Sequence, residues 1–169
     1  MRILPKHAGW LILPILIALA VFAAKTTPVS APTASDSSQS RPVIPDERAL
    51  RIDRYFAESN MPLAGYGAKF IEAADQCNMD WRLLPAIAVR ESSGGKQACG
   101  NNPFGWASCR ADFESIEKAI EIVGANLCGF NPKTAGYYKN KTTYERLWSY
   151  NGIVNPKYPN EVLKVMDSF

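Results

Sequence analysis

The stretch Leu83-Leu84-Pro85-Ala86-Ile87-Ala88-Val89-Arg90-Glu91-Ser92-Ser93-Gly94-Gly95 constrains the fold more than any other part of the chain. It is an apolar run with helical spacing that carries one carboxylate at its far end and then breaks on two glycines. Read as a helix, it places Leu83, Ile87 and Glu91 at i, i+4 and i+8, on a stripe shared with Leu84 and Ala88. A helix this apolar must be covered by other elements, and Glu91 goes inward with it. Glu91 also sits in the last turn, where the helix macrodipole disfavours negative charge. Burial and dipole both penalise the ionised carboxylate. A carboxyl kept protonated at the mouth of a core can act as a general acid. The plain alternative is a glutamate that turns out to water or pairs with Arg90 or Lys96.

The rest of the composition suits one domain plus appendages: 169 residues, 47% hydrophobic, with seven Tyr and seven Phe. The net charge of +3 comes entirely from Arg2, Lys6, Lys25 and Arg41 against Asp36, leaving 15 cations and 15 anions in residues 46–169. A neutral domain argues against a nucleic-acid partner, which calls for a basic patch. The single histidine, His7, lies outside it, so the domain has neither a His-based triad nor a His metal site.

Arg2, Lys6 and His7 precede an apolar run of 17 residues from Ala8 to Ala24, and Lys25 follows it. This pattern signals export or membrane insertion, so residues 1–25 read as a signal peptide or an N-terminal membrane anchor. The run is short for a span and long for a cleaved signal. Cleavage sites near Val21 to Ala24 are mediocre, which favours a retained inner-membrane anchor with the bulk of the chain outside. Residues 26–45, rich in Ser, Thr, Pro and Ala, cannot bury a core and read as a flexible tether.

The domain, 46–169, reads as mainly α, with about seven helices. The first runs from Asp46, a plausible N-cap, to Asn60, with Leu50, Tyr55 and Phe56 as its large apolar residues. The second spans Leu63 to Cys77, with Phe70, Ile71 and Ala74 inward. Asp80 caps the Glu91 helix, whose Pro85 lies near the first turn. Ser92 to Phe113, with its Gly, Asn and Pro, reads as a loop or small β-hairpin lobe beside that helix end. Helical spacing returns from Glu114 to Leu127 and stops at Gly129. Tyr137-Tyr138 and Tyr144 to Tyr150 make one or two short aromatic helices, and Asn160 to Phe169 the last.

Cys77, Cys99, Cys109 and Cys128 contain no C-x-x-C pair, and without a domain histidine they do not suggest zinc. An even count behind an export signal suggests disulfides instead. Three connectivities are possible. The expected one joins Cys99 to Cys109 across the glycine-rich lobe, and Cys77 to Cys128 between the second and fourth helices.

Four motifs occur in order: Leu84 to Gly95; Asn101-Asn102-Pro103-Phe104-Gly105-Trp106; Phe113 to Ile120; and Asn155-Pro156-Lys157-Tyr158 before the last helix. Together they resemble the lysozyme-like peptidoglycan hydrolases, and most closely the bacterial glucosaminidase domains (mannosyl-glycoprotein endo-β-N-acetylglucosaminidase-like). That resemblance spans about Gly65 to Met166. It implies a lysozyme-like domain, a substrate of peptidoglycan glycan strands, no cofactor and no metal, and a monomeric enzyme in the periplasm or cell wall. Glu91 would be the catalytic acid. Ser149-Tyr150-Asn151-Gly152 is similar to a lytic-transglycosylase segment whose tyrosine lies beside the catalytic glutamate, which nominates Tyr150. Ser92, Asn102, Phe104, Trp106 and Asn151 would contact substrate. For Tyr150, Phe104 and Trp106 the alternative is ordinary packing, and for Ser92 a helix C-terminal residue.

One departure stands out. Most glycosidases use two carboxylates, and residues 92–111 contain none. Either the substrate's acetamido group or 6-hydroxyl replaces the second, the latter giving anhydro ends, or Asp112 serves as base. A non-catalytic glycan-binding module is the remaining expectation.

Overall fold

α1 (Glu47–Glu58) starts on Asp46, whose side chain accepts from the Arg48 amide and so satisfies one free N–H of the first turn. In the computed structural model, which describes residues 44–169, seven α-helices and one π-helical turn follow in order, with no strand among the described residues. The anchor or signal expected over 1–25 and the tether residues 26–43 lie outside the described residues. Ile44 and Pro45, at the end of the expected tether, are non-helical and exposed. No helix among the described residues is long and apolar enough to cross a membrane.

α1 buries Ala49, Ile52 and Phe56. These residues are spaced i, i+3, i+7, one face of a helix. Leu50 lies one position round from that face and is 47% exposed. α2 (Gly67–Asp75) begins four residues later than expected, because 62–65 form a turn. Its N-terminus has no cap of its own. Asp53 of α1 supplies one, accepting from the amides of Gly65 and Gly67 at 2.8 Å each.

α3 (Leu83–Ser92) is the centre of the molecule. Every residue from Leu83 to Ala88 is buried, so it is not a half-exposed amphipathic helix but one covered all round. Asp80 accepts from the Arg82 amide at 3.0 Å, opening the turn that leads into it. The helix ends where Ser93 enters the left-handed region at φ 54, and the Gly94 amide donates back to the Ala88 carbonyl. The Ser93 amide donates to the Val89 carbonyl, the 5→1 bond of an αL stop, with a serine where glycine is usual.

Residues 93–115 form the lobe, a loop with a single bridge between Cys99 and Asn102 and no hairpin. α4 (Ile116–Leu127) starts on Ser115, which accepts from the Lys118 amide. α5 (Ala135–Tyr138) and α6 (Thr143–Leu147) are short, and α6 opens with a capping box between Thr142 and Glu145. The π turn (Trp148–Gly152) continues α6, and α7 (Tyr158–Met166) packs along α3. Disulfides join Cys77 to Cys128 and Cys99 to Cys109. The first closes a separation of 51 residues and ties the ends of α2 and α4, worth about 4 kcal/mol in the chain-entropy picture. Disulfides form and persist outside the reducing cytosol, so both hint at an extracytoplasmic location.

Ile52→Ala is expected to cost about 2–5 kcal/mol in urea unfolding, and Leu50→Ala less than about 1 kcal/mol. Equal losses would contradict the face described for α1.

Candidate active site

Glu91 occupies the last turn of α3, with its side chain among α7, the lobe and the π turn. It pairs with neither of its sequence neighbours. Arg90 donates from Nε to Glu161 Oε2 at 2.9 Å, and Lys96 donates to the Ser59 carbonyl at 2.8 Å. Glu91 Oε1 is buried and has no hydrogen-bond partner. Glu91 Oε2 abuts Gly105, where an added Cβ would lie 3.0 Å from it. Gly105 has φ +60 and this close approach, so both conformation and space call for glycine there.

Gly105 also lines an open pocket of about 320 Å³, together with Trp106, Ala107, Ser108, Tyr138 and Tyr150. An aromatic row runs through it: Tyr138 and Trp106 lie 6.3 Å apart, Trp106 and Tyr150 5.5 Å, and Tyr150 and Tyr158 5.9 Å with their planes within 2°. Arg90 rests over the Tyr158 ring at 5.9 Å while bound to Glu161, so one residue of α3 holds both α7 and Tyr158 beside Glu91.

The tyrosines are kept neutral. Burial pushes the Tyr138 hydroxyl up to about 12. Burial first, and then the charge of Glu91, raise Tyr150 and Tyr158 well above the ordinary tyrosine value. Glu91 is the one carboxylate acting on either of them. Tyr150 donates to the Phe104 carbonyl at 2.7 Å, joining the π turn to the lobe. Tyr158 faces Glu91, whose carboxylate is the acceptor its hydroxyl would donate to, yet the hydroxyl has no hydrogen-bond partner. Two buried, unpartnered polar groups therefore meet at one spot. Each costs roughly 1–3 kcal/mol, which folding alone does not explain.

Several expected contacts fall elsewhere. Ser92 is buried. Its hydroxyl lies 2.7 Å from the Pro103 carbonyl and 3.1 Å from that of Ala88, and it accepts from the Gly95 amide. It stitches the lobe to α3 and has no capacity left for substrate. Asn102 is buried too, donating to the Trp106 and Ala111 carbonyls and accepting from the Trp106 amide. Phe104 is fully buried with its ring 6.5 Å from Phe70, so it belongs to the core and not to the groove. Asn151 is partly buried at the turn after the pocket, where its carbonyl accepts from the amides of Val154 and Asn155. Trp106 and Tyr150 remain as pocket residues. Asp112 is exposed and is not among the lining residues.

Three elements of the site escaped the sequence reading. The Asn155 to Tyr158 motif is visible in the sequence, but nothing in it places Tyr158 against Glu91. For Tyr138 the sequence shows only a place in a short aromatic helix. The third is a left-handed turn, Ala107, Ser108 and Cys109, with φ of 55, 56 and 62. Its residue types give no sign of this, and the Cys99–Cys109 bond helps to hold it.

Acids in other hollows are paired or lie on the surface: Glu117 lines one hollow, and Glu58 and Asp167 another, all three exposed. The largest hollow, about 560 Å³ beside Trp81, contains Asp80, which is bound to Arg82 at 2.8 Å. Compared with known protein families, curated proteins and solved structures, the chain matches none, so the functional reading rests on the site itself.

A non-glycine residue in the left-handed region costs about 1–2 kcal/mol, more than the roughly 0.4–1 kcal/mol that glycine adds to the entropy of the unfolded chain. Ala107→Gly is thus expected to stabilise the protein by roughly 0.5–1 kcal/mol in urea unfolding. A loss of stability would contradict the strained turn.

Proposed function

We propose that this protein is an exported enzyme that cleaves the β-1,4 glycosidic backbone of peptidoglycan, with Glu91 as its single general acid. One observation carries the reading: a carboxyl at the end of a buried helix, with one oxygen unpartnered and the other against a glycine of an aromatic pocket. A structural glutamate in that position would be paired. Sugars suit the pocket, because an aromatic face matches the apolar face of a pyranose ring.

In this mechanism the Glu91 proton passes to the glycosidic oxygen, the C–O bond breaks, and the departing chain leaves as an alcohol. The ring left behind develops oxocarbenium character. Tyr158, held neutral, can donate a hydrogen bond but not serve as a base, while the Tyr150 proton is already given to the Phe104 carbonyl. The lining residues include no acid of their own, and Glu91 meets the pocket only through Gly105, which favours a nucleophile from the substrate itself. Attack by the acetamido oxygen, followed by water, completes a hydrolysis. Attack by the 6-hydroxyl forms a 1,6-anhydro ring, and its proton returns to Glu91. The missing second carboxylate also supports a second reading, a non-catalytic glycan-binding module.

Glu91→Gln keeps the shape of the side chain and removes the acid. Release of soluble fragments from purified sacculi should fall about 10²–10⁴-fold while sedimentation with sacculi persists. Release at the wild-type rate would remove Glu91 from the mechanism. If the wild-type chain binds sacculi but releases nothing, the binding module is the correct reading.

A further inference from the structure

Nine large hydrophobic residues are exposed among the described residues, and six of them fall between 130 and 154: Phe130, Tyr137, Tyr144, Trp148, Ile153 and Val154. The last four fall between 144 and 154. Tyr144 and Trp148 hold their rings 6.4 Å apart with planes within 16°. At that separation near-parallel rings cannot lie face to face in contact, so they are strongly offset. The Trp148 ring lies against Gly152, where an added Cβ would be 2.9 Å from it. Ile153 and Val154 follow directly, 72% and 84% exposed, on a turn closed by the Val154 and Asn155 amides donating to the Asn151 carbonyl. Two β-branched aliphatic residues at a turn tip contribute nothing to the core.

Charge is segregated in the same way. Residues 129–157 contain Lys133, Lys139, Lys141, Arg146 and Lys157 against Glu145 alone. Glu145 is already occupied by the Thr142 capping box and lies 3.7 Å from Lys141. Residues 46–128 hold nine cations and twelve anions. A neutral domain thus has one basic region, and that region carries the exposed aromatic and aliphatic side chains.

We infer that this surface docks on an anionic lipid bilayer, with Ile153 and Val154 entering the acyl boundary, Trp148 and Tyr144 at the headgroup level and the lysines on the lipid phosphates. Tryptophan and tyrosine favour that depth, and clustered lysines favour anionic headgroups. The aliphatic tip distinguishes a bilayer from a glycan strand, whose hydroxyl-rich surface offers it nothing. The inference rests on reading the apolar run from Ala8 to Ala24 as a membrane anchor. About twenty-two residues separate that run from α1, no more than about 80 Å of chain at full extension. A tethered surface works at high effective concentration, so weak affinity suffices.

The test uses the full chain in vesicles whose lipids carry brominated acyl chains, which quench nearby tryptophan. The difference between wild type and Trp148→Phe isolates the Trp148 emission, and Trp10→Phe isolates that of the apolar run. Trp148 emission should be lost in phosphatidylcholine–phosphatidylglycerol vesicles. It should be retained in phosphatidylcholine alone, at high salt, and in Ile153→Ser/Val154→Ser. Quenching of Trp10 without Trp148 would overturn the docking surface and leave the anchor. Quenching of neither would overturn both. A Trp148 response to sacculi but not to vesicles would assign the surface to glycan. Glu91 takes no part, so each outcome is independent of whether the chain cuts peptidoglycan.

Discussion

The structure depends on burying α3 on all sides while leaving a carboxyl at its end without a partner. Covering six consecutive residues, Leu83 to Ala88, is what brings α2 and α7 against the helix. The helix then has to stop abruptly, and it does so on Ser93 in a left-handed conformation. Beyond that stop the chain doubles back as the lobe. Ser92 sews the lobe to the helix through the Pro103 carbonyl, and Tyr150 ties it to the π turn through the Phe104 carbonyl. Each of these bonds uses backbone atoms next to the site, so positioning Glu91 and closing the lobe are one structural task.

Glu91 and Tyr158 form the costly part of that arrangement. Arg90 could have neutralised its neighbour, yet it reaches to Glu161 and covers the Tyr158 ring. The arrangement strips the carboxyl of local cations and surrounds it with neutral hydroxyls. The aromatic row from Tyr138 to Tyr158 gives the ligand a flat apolar surface, and Gly105 keeps the approach to the carboxyl open.

Local chemistry was legible in the sequence, and tertiary choices were not. The Asp46 cap, the helix break near Gly94 and the mainly helical architecture follow from short-range rules, and they stand in the structure. Both cysteine pairings stand as well. Leu50 and Phe56 are both large and apolar, yet only Phe56 is buried, because Leu50 lies one helical position, about 100°, from the buried face. Ser92, Asn102 and Phe104 sit within motifs beside the site, but sequence adjacency does not say which way a side chain points, and all three point into the protein. The cap that Asp53 provides for α2, and the meeting of Tyr158 with Glu91, join residues far apart in the chain. No local pattern records either.

The central claim is that this carboxyl breaks glycosidic bonds without a second acid. Mass spectrometry of fragments released from purified sacculi by the wild-type chain tests it most directly. New ends at β-1,4 linkages, either reducing N-acetylhexosamine or 1,6-anhydro, are the predicted result. Intact sacculi, or fragments cut only at peptide amide bonds, would contradict it.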